Sequence, residues 1–234
     1  MLQTVLRVSR EELLQAAVVQ LVLAVLFSFS DLSLWLMVCL VVFVAVVVLR
    51  REPDTELYQE NIQVQARAQS MARPFGVRVE RAFLNPLDPY NATWHRTGRR
   101  RGVVVLGEAL LTDDVCFDAT LLHELGHARQ WTGLACVVHS CARFAVPAAL
   151  GSTFGLSALL VLPLGSIVVE VVAAKYYRIQ EIDADRFAVA QGAPAEAILR
   201  YIPDSSDGVL DRAISTHPRV VERRAALGLF AGAA

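Results

Sequence analysis

The chain has 234 residues, of which 55% are hydrophobic and 19% are charged, and its mean hydropathy is +0.44. The hydrophobic share exceeds the roughly 45–50% that soluble domains reach even with glycine counted, so the composition predicts an integral membrane protein. The formal net charge of −1 gives no electrostatic basis for binding nucleic acid, and we expect no nucleic-acid partner.

Two long apolar stretches lie near the N-terminus, at residues 13–29 and 32–49. The second contains no charged residue. As a helix it is long enough to span most of a hydrocarbon core about 30 Å thick. A short polar turn separates the two stretches, and we therefore predict that residues 1–51 form an N-terminal transmembrane helical hairpin.

The basic residues around this hairpin predict its orientation. Arg7 and Arg10 precede it, Arg50 and Arg51 follow it, and the turn at residues 28–33 has no basic residue. Lysine and arginine favour the cytoplasmic side of a membrane protein. Both ends of the hairpin are therefore expected in the cytoplasm, and the expected location is the cell (inner) membrane.

Residues 52–133 are predicted to be the first part of a folded polar domain. The pattern within them predicts a helix at 56–71, strands at 77–80 and 103–106, and a loop of turn-forming residues at 85–91. A basic cluster is predicted to be a solvated hairpin tip, with contact to lipid headgroups as the alternative. Its members are Arg96, Arg99, Arg100 and Arg101.

Near the end of this region the chain reads His123-Glu124-Leu125-Gly126-His127. Two histidines four residues apart on a helix lie on the same face, because four residues advance about 400°. Both imidazoles can therefore bind one metal ion, and the glutamate between them can accept a proton from water at that ion. The pattern predicts the site of a zinc-dependent peptidase.

The residues around this pattern predict the ends of its helix. Asp118 is the predicted N-cap, and Gly133 is the predicted stop. Leu121 and Leu125 are expected to face a hydrophobic core while the two histidines face a cleft.

A third apolar stretch occupies residues 134–176. If residues on both sides of it bind the same ion, it must cross the membrane an even number of times, and two crossings need about 40 residues. We predict a second hairpin that turns at residues 151–155, with Arg143 reaching the membrane surface and Glu170 near the cytoplasmic end. A shallow or re-entrant hairpin is the alternative.

Residues 177–234 are predicted to complete the polar domain and to supply a third metal ligand, since a catalytic zinc ion usually has three protein ligands and one water. The acidic run around residues 180–188 is helical in pattern, which places Glu181 and Asp185 on one face. If Glu181 binds the ion, Asp185 can accept a hydrogen bond from a ligating imidazole and fix its tautomer. The candidates for the third ligand are Glu170, Glu181, Asp183, Asp185 and His217.

Four stretches resemble the HtpX-type family of membrane zinc metallopeptidases, which are gluzincins related to the CAAX prenyl proteases. The first is the His123–His127 pattern, and the second is the Glu-x-x-Ala-Asp pattern of residues 181–185. The third is Asn91-Ala92 with the strand that follows at residues 102–106, and the fourth is Ser215-Thr216-His217-Pro218 with Arg219. The resemblance covers nearly the whole chain.

This resemblance implies a mainly α fold with a small β-sheet, built as an integral membrane gluzincin with transmembrane helical hairpins. It implies one Zn²⁺ per chain, bound by His123, His127 and Glu181, with the active site facing the cytoplasm. Basic groups of the C-terminal segment are expected to approach the site, so His217 or Arg219 is expected to donate a hydrogen bond to the oxyanion.

The expected reaction is hydrolysis of peptide bonds, with Glu124 as the general base. The expected partners are protein or peptide substrates, mainly membrane or unfolded proteins, and the lipid bilayer. An edge strand near Asn91 or Val103 is expected to hold the substrate through backbone pairing. The alternative function is a non-catalytic membrane sensor or scaffold that keeps the metallopeptidase fold, against which the intact Glu124 argues because a scaffold needs no base.

Overall fold

The computed structural model describes residues 58–130, 132–200 and 215–229. The predicted N-terminal hairpin of residues 1–51 lies outside these ranges. Backbone contacts divide the chain into two compact units. One comprises residues 1–51 and 133–174, and the other comprises residues 52–132 and 175–234.

The described residues are mainly helical with a small mixed sheet, as the sequence predicts. In chain order the helices are α1 (Ile62–Ala72), α2 (Asp114–Arg129), α3 (Thr132–Phe154), α4 (Ala158–Ala190), α5 (Ala195–Leu199) and α6 (Val220–Ala226). The strands are β1 (Gln59–Glu60), β2 (Arg78–Asn85), β3 (Ala92–Gly98) and β4 (Arg101–Gly107). Short 3-10 helices lie at Arg73–Phe75, Glu108–Thr112 and Gly155–Ser157.

The sheet has the strand order β1-β2-β4-β3, with β2 and β4 parallel and the other two pairs antiparallel. The predicted strands at 77–80 and 103–106 are present as the longer β2 and β4. Strand β3 was not predicted, because its side chains are only half-buried and do not alternate between apolar and polar. It is an edge of the sheet among the described residues.

The expectation that Val103 lies at a sheet edge is wrong. Strand β4 runs between β2 and β3, and Val103 pairs with Arg81 on one side and His95 on the other. Its backbone is therefore engaged on both sides. The nearly continuous burial of β4, whose apolar residues are covered on both faces, gives the physical reason for the central position.

The predicted helix at 56–71 begins later than expected. Residues 59–60 pair with β2 as strand β1, and the helix starts at Ile62. The Asn61 side chain caps it by accepting a hydrogen bond from the Val64 N–H at 3.0 Å.

Helix α2 begins five residues before the predicted N-terminus. Its N-cap is Asp113, whose carboxylate accepts a hydrogen bond from the Cys116 N–H at 3.0 Å, and this bond holds the pKa of the Asp113 carboxyl below its ordinary value. Asp118 lies inside the helix and pairs instead with Arg67 at 2.7 Å. Aspartate is a favourable N-cap residue at either position. The helix begins after Asp113 because the 3-10 helix Glu108–Thr112 ends directly before it.

The end of α2 is also different from the prediction. The helix ends at Arg129, and Gly133 lies inside α3 rather than stopping α2. The last carbonyl groups of α2 are bound by Arg96, whose guanidinium donates to the Ala128 oxygen at 3.0 Å. Arg96 is therefore not part of a solvated tip, whereas its neighbours Arg99, Arg100 and Arg101 are exposed at the β3–β4 turn.

The core of this unit lies between α2 and the sheet. Phe117, Leu121 and Leu125, spaced four apart on α2, are fully buried and belong to one cluster with Val104 and Leu106 of β4. Burying each large apolar side chain contributes about 1.5–3 kcal/mol. Because these residues face the sheet, the opposite face of α2 is left for its histidines.

Helices α2 and α4 approach closely at Gly126. A Cβ atom on Gly126 would lie 2.9 Å from the Cα of Ala184 and 3.1 Å from its Cβ, so a larger residue would push the helices apart. This contact brings the Glu181–Asp185 turn of α4 beside the histidine face of α2.

In the other unit, α3 and the first part of α4 form a helical hairpin. Two helical segments, Ala135–Ser157 and Leu160–Ala190, are long and apolar enough to cross a membrane by length and composition. The turn was predicted at residues 151–155 but lies at Gly155–Ser157, because residues 151–154 continue the helix and Gly155 adopts the left-handed conformation at φ +56°.

Arg143 of α3 pairs with an acidic residue of the facing helix α4. Its guanidinium donates two hydrogen bonds to Glu170, at 2.6 and 2.8 Å, and the Nε2 atom of His139 lies 3.2 Å from the same carboxylate. A charged group among apolar helices is stabilised by a partner of opposite charge, and the facing helix supplies one here.

Candidate active site

The histidines of α2 direct their Nε2 atoms at each other. The Nε2 atoms of His123 and His127 are 3.1 Å apart, and the two rings are nearly perpendicular. His123 is 8% exposed, and His127 is half-buried. The pair on one helix face that the spacing predicts is therefore present.

Glu181 of α4 completes a cluster with these two nitrogen atoms. Its Oε1 atom lies 3.2 Å from the Nε2 of His127, and its Oε2 atom lies 3.6 Å from the Nε2 of His123. The three donor atoms all lie within 4.8 Å of one another. Ligand atoms at the corners of a tetrahedron around zinc are about 3.3 Å apart when the bonds are about 2.0–2.1 Å long, so the donor set fits a zinc ion.

The electrostatics of the cluster favour a cation. Burial by itself lowers the pKa of His127, but its hydrogen bond to Glu181 and the charges of Glu181 and Glu124, together with a hydrogen bond to Gln130, outweigh burial and raise the pKa to about 9. The carboxylates thus stabilise positive charge at the point where the Nε2 atoms converge.

Asp185 holds His123 in the orientation that suits a ligand. Its Oδ1 atom lies 2.8 Å from the Nδ1 of His123, and the aspartate is fully buried. Because a carboxylate only accepts hydrogen bonds, the proton of the imidazole sits on Nδ1, and Nε2 keeps its lone pair for a metal ion. Asp185 therefore lies where the sequence predicts it.

Beside Asp185 lies a second buried charged residue, which the sequence did not predict. Arg223 of α6 is 4% exposed, and its guanidinium binds both carboxylate oxygens of Asp185, with the Nε–Oδ2 bond at 2.5 Å. Its Nη1 atom lies 3.6 Å from Oε2 of Glu181. A buried aspartate requires a partner of opposite charge, so the sequence could have predicted that a basic residue contacts Asp185. It could not have identified which of Arg219, Arg223 and Arg224 makes that contact.

The two C-terminal candidates have different surroundings. The Nδ1 atom of His217 lies 3.3 Å from Oε2 of Glu181, and its side chain is 44% exposed, so it borders the cluster from the solvent side. Arg219 contacts Glu222 instead, at 3.6 Å, while its backbone N–H donates to the same carboxylate at the start of α6. The structure thus brings His217, but not the Arg219 side chain, to the cluster.

Glu124 is also part of this neighbourhood. It lies between the two histidines on α2, is 6% exposed, and contributes its charge to the raised pKa of His127. The Glu124 carboxylate therefore adds negative charge near the two histidines.

The remaining candidates do not join the cluster. Asp183 points to another side of α4 and pairs with Arg186 at 3.5 Å, with both side chains more than half exposed. Glu170 is engaged by Arg143 in the other unit. Val103 lies on the interior strand described above.

Asn91 lies directly before the edge strand β3. Its side-chain amide donates to Asp88 at 3.0 Å, and its backbone carbonyl accepts from the Gly107 N–H at 2.7 Å. Asn91 therefore fixes the loop that leads into β3 rather than presenting a free backbone itself.

The chain is similar to one protein family and to proteins of known structure. The model of a family described as Peptidase family M48 matches residues 58–229. Among solved structures, the crystal structure of Ste24p from S. mikatae is similar, with a TM-score of 0.65 at 17% sequence identity. The match covers 91% of this chain and 62% of Ste24p, so this chain spans less than two thirds of that protein's length. At this identity the likeness shows a shared fold. A search of curated proteins found no match.

Replacing Arg223 with alanine is expected to lower the free energy of unfolding by about 3–5 kcal/mol, because Asp185 is left buried without its countercharge. The neighbouring Arg224 provides a matched control, since it forms an exposed pair with Glu196 and its replacement is expected to cost roughly 0–1 kcal/mol. Denaturant titration of both variants in detergent micelles measures the difference. Equal losses in the two variants would contradict the assigned contact.

Proposed function

We propose that this chain, which belongs to peptidase family M48, is a zinc-dependent membrane endopeptidase that hydrolyses peptide bonds of membrane or unfolded proteins. The observation that carries the proposal is the convergence of the two Nε2 atoms and the Glu181 carboxylate within 4.8 Å. The buried Glu124 lies next to His123 in the sequence, and its charge acts on His127. In this proposal His123, His127 and Glu181 bind one Zn²⁺.

A zinc ion held by these residues supplies a Lewis acid that polarises the scissile carbonyl and makes a water molecule acidic near neutral pH. Glu124 accepts the proton of the attacking water and later delivers it to the leaving amine. Its position next to both histidines supports this role. Asp185 and Arg223 keep His123 in its orientation and do not themselves take part in proton transfer.

His217 is the residue to which we assign stabilisation of the oxyanion. It approaches Glu181 to 3.3 Å and remains partly open to solvent, so it borders both the ligands and the space that a substrate can enter. A donor at this point can stabilise negative charge that develops on the carbonyl oxygen. The sequence left the choice between His217 and Arg219 open, and the contact of Arg219 with Glu222 favours His217.

Strand β3 is the element to which we assign substrate binding. It is an edge strand among the described residues, and its loop is anchored by Asn91. An extended peptide can add to such an edge through main-chain hydrogen bonds, which select the backbone rather than particular side chains. This mode suits the cleavage of unfolded segments with varied sequences, as in protein quality control.

The membrane arrangement that we propose has residues 1–51 and 134–176 as two transmembrane hairpins, with residues 52–133 and 177–234 forming the peptidase domain on the cytoplasmic side. Its support is the apolar character of both segments, the length of α3 and α4, and the basic residues that flank the first hairpin.

Reporter fusions at the C-terminus should report a cytoplasmic location, and a periplasmic C-terminus would refute the arrangement.

Replacing Glu124 with glutamine should lower the rate of casein cleavage by about 10²–10⁴-fold, because the amide cannot accept the proton. Zinc content should remain that of the unaltered protein, since Glu124 is not a ligand. Purified protein in detergent, with zinc restored, is assayed beside the variant. The exposed Glu108 provides the control, because glutamine at that position should leave cleavage unchanged.

Undiminished cleavage by the Glu124 variant would contradict the assigned base. Bound zinc without cleavage by any of the three proteins would instead favour the sensor or scaffold function.

Backbone pairing with β3 predicts a particular response to N-methylation of a peptide substrate. Only alternate residues of a strand direct their N–H groups towards a given neighbour. Methylation of one alternate set, away from the scissile bond, should therefore slow cleavage strongly, while methylation of the other set should have little effect. Rates of cleavage by mass spectrometry test this, and equal tolerance of both sets would exclude binding along the strand edge.

A further inference from the structure

The end of α2 carries a polar contact that the reaction described above does not use. Three residues after His127, the side-chain amide of Gln130 lies between that histidine and the backbone of α4. Its Oε1 atom is 3.0 Å from the Nδ1 of His127, and its Nε2 atom donates to the carbonyl oxygen of Gln180 at 2.7 Å. Gln180 directly precedes Glu181, so this single amide contacts the segments that carry two of the three metal-binding side chains.

The contact with α4 determines which way the Gln130 amide points. A backbone carbonyl only accepts hydrogen bonds, so the group that faces Gln180 must be the NH₂ of the amide. The amide oxygen consequently faces the Nδ1 of His127. An amide oxygen also only accepts, and Nδ1 must therefore carry the proton. In the neutral His127 imidazole, the form that can bind a metal ion, the lone pair is then on Nε2, which is the atom directed at His123 and Glu181.

The main chain of Gln130 is fixed as well. The Nη2 atom of Arg96, on β3, donates to the carbonyl oxygen of Gln130 and to that of Ala128 at 3.0 Å. Carbonyl groups at the C-terminal end of a helix accept no hydrogen bond from within the helix, and Arg96 supplies the missing donor. Because Arg96 holds the backbone and Gln180 holds the side-chain NH₂, the amide oxygen has little freedom to turn away from His127.

From these contacts we propose that Gln130 is the positioning residue of His127, as Asp185 is of His123, and that its bond to Gln180 sets the spacing between His127 and Glu181. This inference rests on the proposed metal site. The two histidines then have unlike supports, since His123 donates to a carboxylate that is bound by Arg223, and His127 donates to a neutral amide. A neutral acceptor orients His127 without adding further negative charge to the cluster.

Affinity for zinc tests the proposal separately from catalysis. Loss of such a support typically weakens metal binding about 10–100-fold. Gln130→Met keeps the length of the side chain but removes the acceptor, so we expect the Kd for zinc to rise by about that factor. Gln130→Glu keeps an oxygen that accepts from Nδ1 but loses the NH₂ that donates to Gln180, so we expect its Kd to lie between that of the original protein and that of Gln130→Met. Competition with a chromophoric chelator in detergent measures both values.

The matched control is Gln191→Met, which makes the same change at an exposed position beyond α4 and should leave zinc binding unaltered. Thermal unfolding of the metal-free proteins reports whether each variant is folded. If Gln130→Met does not fold, Gln130→Asn takes its place, because an amide one methylene shorter cannot reach both partners and should show the same loss.

An unchanged Kd in the folded Gln130 variant would overturn the inference. So would a loss in Gln130→Glu as large as in Gln130→Met, because the acceptor oxygen would then not be what matters. Failure of the unaltered protein to bind zinc would instead refute the proposed function on which the inference rests.

Discussion

The site depends on the compensation of charge among groups that are largely removed from water. Three carboxylates, those of Glu124, Glu181 and Asp185, converge on two imidazoles, and Arg223 supplies one positive charge to them. Two negative charges remain in excess, which matches the charge of one divalent cation. Burying unpaired charge is costly, so the cluster is stable only if a cation or protons neutralise it. The pKa of His127 is raised to about 9 for the same reason, because the neighbouring carboxylates stabilise its protonated form.

The second constraint is geometric, because the ligands come from two helices. Gly126 and Ala184 allow α2 and α4 to approach until a Cβ atom on Gly126 would lie 2.9 Å from the opposing backbone. The apolar face of α2 packs against the sheet, and this fixes the direction of the histidine face. Burial of the core, close helix packing and the polar network therefore act together, and the donor atoms need no large adjustment to bind one ion.

The spacing within each helix was predicted from local sequence, whereas the approach of Glu181 and Asp185 to the histidines was expected from the need for a third ligand and from the family resemblance. The two histidines come together because a spacing of four is a property of the helix itself, and Glu181 with Asp185 repeats the same spacing on α4. The contact of Arg223 with His123 joins residues 100 positions apart, and that of Gln130 with Gln180 joins residues 50 apart. No local pattern marks such pairs. The prediction that Val103 lies at a sheet edge was wrong for the same reason, since the order of strands in a sheet depends on pairing between strands and not on the sequence of any one strand.

The central claim is that His123, His127 and Glu181 bind one zinc ion. X-ray absorption at the zinc edge, measured on protein purified in detergent together with its metal content, tests it most directly. The account predicts one zinc per chain with only nitrogen and oxygen neighbours at about 2.0–2.2 Å, and loss of that zinc when Glu181 is replaced by alanine. A sulfur neighbour at about 2.3 Å, or zinc binding that is indifferent to the change at Glu181, would contradict it.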